Sequence, residues 1–307
     1  MDVGVVMLVK NEVNSVEAGL APILDQLAEI IVYDTGSTDG TQDVLRERLH
    51  IEPLSASLDA ALCGNLASLR NQGFARLKSP WQMTLDADER LASEGFRELR
   101  KTRIPDEVGG LFLCWRNHLA GGTVFEDYKC SIFRNGLTHS GLVHDTVQPS
   151  LRKAGLRAHW CDAVVLEHFP DPAKAQAKRR RYQERLQCAM GRDPDNPRYP
   201  WFYGYAAFLQ GERSEAREWL RRAAESSHPW FPVERLNARM VLAVEAASYG
   251  KLRQARQHLR LAKALFTQEK NDFEVAVNRW MEPWLDEALR LMDAGTPHRI
   301  AVPRFAC

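Results

Sequence analysis

Trp81-Gln82-Met83-Thr84-Leu85-Asp86-Ala87-Asp88-Glu89 runs an apolar strand straight into two carboxylates at i and i+2. In an extended chain, residues two apart fall on one side. The pattern therefore predicts two aspartates presented together at the C-terminal end of a buried strand. Carboxylates of this kind hold hard divalent cations, and Mg2+ keeps positions open for substrate phosphates. Asp-x-Asp alone is a common surface-turn pattern; the apolar strand in front of it gives it weight.

Outward from that stretch, the N-terminal half alternates strand and helix signals. Val3–Val9 is a continuous apolar run, as a strand buried on both faces requires. Residues 30–33 and 111–115 read as further strands, and 15–27, 41–49 and 66–77 as helices between them. Strand alternating with helix predicts parallel βαβ units. In such sheets, ligands bind outside the carboxyl ends of the strands.

Three more polar segments fall at that edge. Asp34-Thr35-Gly36-Ser37-Thr38-Asp39-Gly40-Thr41 follows the second strand and leads into a helix. Asp34 there has two readings: an acceptor for a ribose or base, or one part of a capped turn, since Ser37, Thr38 and Asp39 all suit a helix start. Lys10-Asn11-Glu12 ends the first strand, and Arg70-Asn71 lies in a helical stretch. An arginine facing this edge suits a diphosphate, which it binds through paired hydrogen bonds.

After Pro170 and Pro172 the texture changes to helix after helix, up to about residue 292. A proline biases its predecessor away from helix, so the boundary is expected at 172, with domains 1–172 and 173–307. Gly204, Gly211, Ala216, Leu220 and Ala223 recur 39 positions later as Ala243, Gly250, Ala255, Leu259 and Ala262. Small residues where helices meet, with a bulky one inside, fit a tetratricopeptide-type repeat. Trp201, Phe202, Tyr203, Tyr205 and Phe208 read as core packing between repeats, and Lys178-Arg179-Arg180-Arg181 as a solvated face.

Composition narrows the remaining classes. Forty-one basic against 40 acidic side chains leave a net charge of +1, with no global pull toward nucleic acid or membrane. No run is long enough to span a bilayer, and the apolar start lacks the basic flank and cleavage site of a signal peptide. The six cysteines form no C-x-x-C pair or zinc set, which fits buried thiols in a reducing compartment. The chain thus reads as cytoplasmic. No G-x-G-x-x-G follows the first strand and no phosphate-loop lysine motif occurs. Asp34-Thr35-Gly36 resembles an aspartic-protease turn, but no second copy supplies the partner aspartate.

Together, Lys10-Asn11-Glu12, the Asp34 turn, Arg70-Asn71 and Leu85-Asp86-Ala87-Asp88-Glu89 resemble glycosyltransferase family 2, most of all its bacterial branch related to lipopolysaccharide-core glucosyltransferases, which includes members with tetratricopeptide tails. The resemblance implies a GT-A fold, a Rossmann-like α/β domain, followed here by the all-α repeat. It implies a nucleoside-diphosphate sugar donor, UDP-sugar first, with Mg2+ or Mn2+. By position, Lys10, Asn11, Glu12, Asp34, Gly36, Ser37, Arg70 and Asp86 would meet the donor, and Asp86, Asp88 and His168 the metal. Ile132-Phe133-Arg134 and Gly141-Leu142-Val143-His144-Asp145 resemble later family segments, and Asp145 takes the place of the catalytic base, where many relatives carry Glu. The implied reaction is inverting transfer of a hexose to a glycan or lipopolysaccharide-type acceptor, with a lipid-linked or peptide acceptor as the variant. A helical-repeat interaction protein with a degenerate transferase domain is the alternative. About 170 residues are short for this fold, so the acceptor side is expected to be completed by the tail or by a second subunit of a homodimer.

Overall fold

The computed structural model describes residues 1–58, 65–272 and 279–305, without the side chains of 120, 175–180, 271 and 272. It forms two compact units, Met1–Arg179 and Arg180–Cys307. The first contains β1 (Val3–Val9), α1 (Val16–Leu20), β2 (Glu29–Asp34), α2 (Thr41–Asp43), β3 (Leu54–Ser55), α3 (Leu66–Phe74), β4 (Trp81–Thr84), β5 (Glu89–Leu91), α4 (Ser93–Lys101), β6 (Val108–His118), β7 (Val124–Arg134), α5 (Gln148–Lys153) and β8 (Arg157–His168). The helix α6 (Ala175–Arg192) crosses the division between the units.

One eight-stranded sheet organises this unit, in the order β3-β2-β1-β4-β7-β6-β8-β5. Its first half is the parallel βαβ arrangement that alternating strands and helices predict: β3, β2, β1 and β4 run the same way. The second half departs from it. β7 pairs antiparallel with both β4 and β6, and β5 antiparallel with β8. β7 follows β6 after a short turn, and so brief a connection permits only antiparallel pairing. β1 is an interior strand, and Val3, Val5, Val6, Met7 and Val9 are buried, as are Met83, Leu85, Leu111 and Leu166.

Local chemistry sets the elements that carry the edge residues. The stretch 15–27 is not one helix: α1 ends before Pro22, and a single tight turn follows at Leu24–Gln26. Proline lacks the N–H that a continuing helix needs. α3 is capped by Asn65, whose side chain accepts from the Ser68 N–H. Gly73 lets α3 lie close on the sheet, since a Cβ there would come within 2.8 Å of Val6. That approach brings Arg70 and Asn71 to the strand ends.

The second unit is all-helical: α7 (Arg198–Gln210), α8 (Arg213–Glu225), α9 (Pro232–Ser248), α10 (Leu252–Asp272) and α11 (Met281–Asp293). α7 and α8 turn at Gly211, α9 and α10 at Gly250, both in the left-handed conformation (φ 82° and 69°) that closes a helix C-terminus. These are the paired positions of the 39-residue repeat. Ala216, Leu220 and Ala223, and their counterparts Ala255, Leu259 and Ala262, are all buried. α9 has 17 residues where α7 has 13, which accounts for much of the excess over an ordinary tetratricopeptide period.

Trp201 and Tyr205 stack at 5.0 Å and meet Phe305 edge-on. The Tyr205 hydroxyl accepts from the Phe305 N–H and donates to the Pro303 carbonyl. Core packing is thus what these aromatics do. Cys114, Cys130 and Cys161 are free thiols, but Cys188 departs from the reduced reading, being disulfide-bonded. Cys63, Cys307 and the side chains of 178–180 lie outside the described residues. No helix among the described residues is long and apolar enough to cross a membrane.

Candidate active site

The Asp-x-Asp segment is a turn between β4 and β5, with the reversal at Ala87 and Asp88. The two aspartates take different partners. Asp86 accepts from Arg70 Nη2 at 2.8 Å and from Lys129 Nζ at 2.9 Å. Asp88 Oδ2 instead lies 3.3 Å from His168 Nε2. Alternation of side chains ends where the strand ends, and here it ends before the first carboxylate.

β5 explains why His168 is present. Its residue Glu89 sits opposite His168 in the antiparallel ladder, and the Phe169 N–H donates to the Asp88 carbonyl. Eighty residues of chain are closed by one short edge strand. His168 Nδ1 lies 2.7 Å from Asn117 Oδ1, and Trp115 stacks on the ring at 4.8 Å.

Around Asp86 the charges form a network. Lys129 also bonds Glu89 Oε1 at 2.6 Å, and Glu89 Oε2 accepts the Asp86 N–H. Arg70 bridges to Asp145 through Nη1 at 2.5 Å. Burial alone would push Asp86 up, but Lys129 and Arg70 outweigh it and hold the carboxyl below its usual range. Glu89, with its side chain 1% exposed, goes the other way: burial and the Asp86 charge raise it against the pull of Lys129. Lys129 and Arg70 are themselves held charged, the carboxylates outweighing the burial that opposes them.

Asp145 lies on the loop after β7, its side chain 7% exposed. Its Oδ2 faces His139 Nδ1 at 2.7 Å. Burial favours the neutral carboxyl, yet Arg70 above all, with His139, holds it well below the carboxylate range. Burial lowers His139, against the pull of Asp145. Facing a carboxylate oxygen, which only accepts, Nδ1 donates to Asp145. Asn71 anchors the same loop, accepting from the His139 N–H and donating to its carbonyl. Arg70 and Asn71, adjacent on α3, hold one loop by side chain and by backbone.

At the opposite end of the edge, Asp34 is buried. Its Oδ1 accepts the Gly36 and Ser37 N–H groups at 2.7 Å each, while Oδ2 takes no hydrogen bond among the described residues. Burial raises this carboxyl, but hydrogen bonds, that of the Ser37 N–H first, more than offset it. Gly36 has φ +102°, which its turn needs and a side chain would resist. Ser37 Oγ accepts the Asn11 N–H, and Asn11 Oδ1 accepts the Thr38 N–H. Glu12 pairs with Lys174 at 3.0 Å. Lys10 is exposed at the strand end. Asn11, Glu12 and Ser37 therefore knit the first two strand-end turns together.

Residues 4–126 match the family model for glycosyl transferase family 2. Over that segment the N-terminal unit is similar to glycosyltransferase family 2. Its family match takes in the Lys10, Asp34, Arg70 and Asp86–Asp88 segments and ends before Asp145 and His168. Over 237 residues the chain is 24% identical to a TPR repeat-containing protein of Synechococcus elongatus, covering 74% of this chain and 57% of the relative; it spans little more than half of that protein's length. Among solved structures it is similar to S. aureus TarS 1–349 in complex with UDP, with TM-score 0.47, 13% identity and coverage of 94% of this chain and 91% of that one. It is also similar to glucosyl-3-phosphoglycerate synthase of Mycobacterium tuberculosis in complex with Mn2+, UDP-glucose and phosphoglyceric acid, with TM-score 0.42, 13% identity and coverage of 62% and 79%.

The cation ligands expected from the motifs are only partly gathered. Asp88 and His168 face each other, whereas both Asp86 oxygens face basic groups. No set of three or more His, Cys, Asp or Glu gathers for a metal among the described residues. The Asp88–His168 pair nonetheless fits a cation. Its donor types, an imidazole nitrogen and a carboxylate oxygen 3.3 Å apart, would suit Mn2+. Lys129, His139 and Asn117 carry no motif in the sequence, whereas Glu89 falls within the Asp-x-Asp segment.

Proposed function

We propose that the N-terminal unit transfers a hexose from a nucleoside-diphosphate sugar, UDP-sugar first, to a hydroxyl of a glycan or lipopolysaccharide-type acceptor, with inversion. The observation that carries the reading is the Asp88–His168 pair at 3.3 Å, placed beside Asp86 and Arg70 at the strand ends of a domain similar to family 2. Asp88 and His168 would hold Mg2+ or Mn2+, which when bound offsets charge on the departing nucleoside diphosphate. Asp34, with its second oxygen unengaged, would receive the nucleoside, and Asp86 the ribose side of the donor. Arg70 would meet the diphosphate, as a forked cation suits it.

Asp145 would act as general base for the acceptor hydroxyl. Held low by Arg70, it is ionised and ready, yet a weak proton acceptor. Sharing Arg70 with an incoming diphosphate would weaken that hold and raise its basicity where the proton must go. Asp145→Asn tests the role: donor affinity by calorimetry is expected to stay within about threefold while transfer falls by at least a hundredfold, in the range of lost general-base catalysis. Transfer at wild-type rate in this variant would move the base elsewhere.

A further inference from the structure

We propose that Asn117 is a positioning residue for His168, setting the ring tautomer that turns the Nε2 lone pair to Asp88. The proposal rests on the reading of Asp88 and His168 as cation ligands. Asn117 is 3% exposed and sits directly across from His168 in the β6–β8 ladder, so the two side chains share a face. Its amide has one donor end and one acceptor end. Nδ2 lies 3.3 Å from the Trp115 carbonyl and 3.5 Å from the Phe125 carbonyl, groups that only accept. The NH2 must therefore point at them, which turns Oδ1 to the imidazole at 2.7 Å. An amide oxygen only accepts, so His168 Nδ1 must carry the proton. In the neutral ring, Nε2 is then left as a lone pair, 3.3 Å from Asp88 Oδ2. Trp115, stacked on the ring at 4.8 Å, restrains its rotation. Two strands thus specify from behind which nitrogen faces the carboxylate. This is how outer partners orient metal-bound histidines elsewhere.

The test uses the full chain, metal-free, with 15N-labelled histidine. At about pH 8.5, above the ordinary imidazole range, long-range proton–nitrogen spectra should show His168 with the proton on Nδ1; the signal is assigned by its loss in His168→Gln. Asn117→Leu should lose that tautomer preference and weaken Mn2+ binding, read by electron paramagnetic resonance, roughly ten- to a hundredfold. Asn117→Asp keeps an acceptor for Nδ1–H and should retain both the tautomer and Mn2+ affinity within about fivefold, on the same basis. An Nε2-protonated ring in the wild type, or an Asn117→Leu protein with unchanged tautomer and Mn2+ affinity, would overturn the proposal. Unchanged Mn2+ affinity in His168→Ala would instead defeat the ligand reading, leaving the role of Asn117 to stand or fall on the nitrogen spectrum.

Discussion

Arg70 donates through Nη1 to Asp145 Oδ1 at 2.5 Å across 75 positions of sequence, joining α3 to the loop after β7. Its other arm takes Asp86, so one guanidinium spans the donor-side turn and the candidate base. A lysine is a point charge and cannot bridge both carboxylates. Arg70→Ala leaves Asp145 nearly buried and without its counter-charge, and breaking a buried pair from one side costs about 3 kcal/mol or more. Calorimetric melting should show Arg70→Ala well below wild type, with Arg70→Lys between them. Equal midpoints for Arg70→Ala and wild type would mean that the bridge contributes nothing to the fold.

The same pair sets an acid limit. Asp145 is held below its ordinary range in the fold. Its contribution is therefore fully present above the unfolded carboxyl's pKa of about 3.9 and fades as pH falls below it toward the folded value. Thermal midpoints of wild type and Asp145→Asn should differ most above about pH 5 and draw together progressively as pH falls below about 4. A gap that widens on acidification would contradict this sign.

Lys129 stands between Asp86 and Glu89, and the second of these carries the burial. Removing the cation in Lys129→Met strands Glu89. Glu89→Gln keeps an acceptor for the Asp86 N–H and buries no charge. Lys129→Met should therefore melt lower than Glu89→Gln, by the order of 2–3 kcal/mol expected when a buried ion loses its partner. The reverse order would show that Glu89 is neutral in the fold.

The contrast between Asp86 and Lys129 marks how far the chain could be read without coordinates. β1 and β2 announce themselves by apolar runs, and the strand before Asp86 by Trp81, Met83 and Leu85 with Gln82 and Thr84 between them. The helical hairpins show through Gly211 and Gly250 at equal offsets. β7 and β8 do not: several of their positions are half-exposed, and exposed polar residues such as Glu126, His159 and Asp162 interrupt the apolar pattern. Lys129, Asn117 and His168 ride on β7, β6 and β8, so their meeting with the Asp86–Asp88 turn depends on long-range pairing, antiparallel for β4–β7, β6–β7 and β5–β8 and parallel for β6–β8, that no local signal encodes.

In the helical unit, Gly204 faces α8. A Cβ there would meet the Leu220 backbone nitrogen at 3.0 Å and Trp219 Cβ at 3.1 Å. Backbone cannot swing aside as a side-chain tip can, so Gly204→Ala should cost about 1–3 kcal/mol, as overpacking does. Thermal unfolding followed by circular dichroism at 222 nm, a wavelength chosen for helix content, reads it directly. A stabilised variant would show that α7 and α8 are not packed this closely in solution.

The most direct measurement for the function proposed above is a thermal-shift panel of UDP-, GDP- and dTDP-sugars on the wild-type chain and on Asp88→Ala, each with and without Mn2+. A ligand that binds only the folded state raises its melting point. The account predicts that one sugar nucleotide stabilises the wild type only when Mn2+ is present, and that Asp88→Ala loses this response while keeping its own metal-free midpoint. No response to any sugar nucleotide, or an undiminished Mn2+-dependent response in Asp88→Ala, would contradict it.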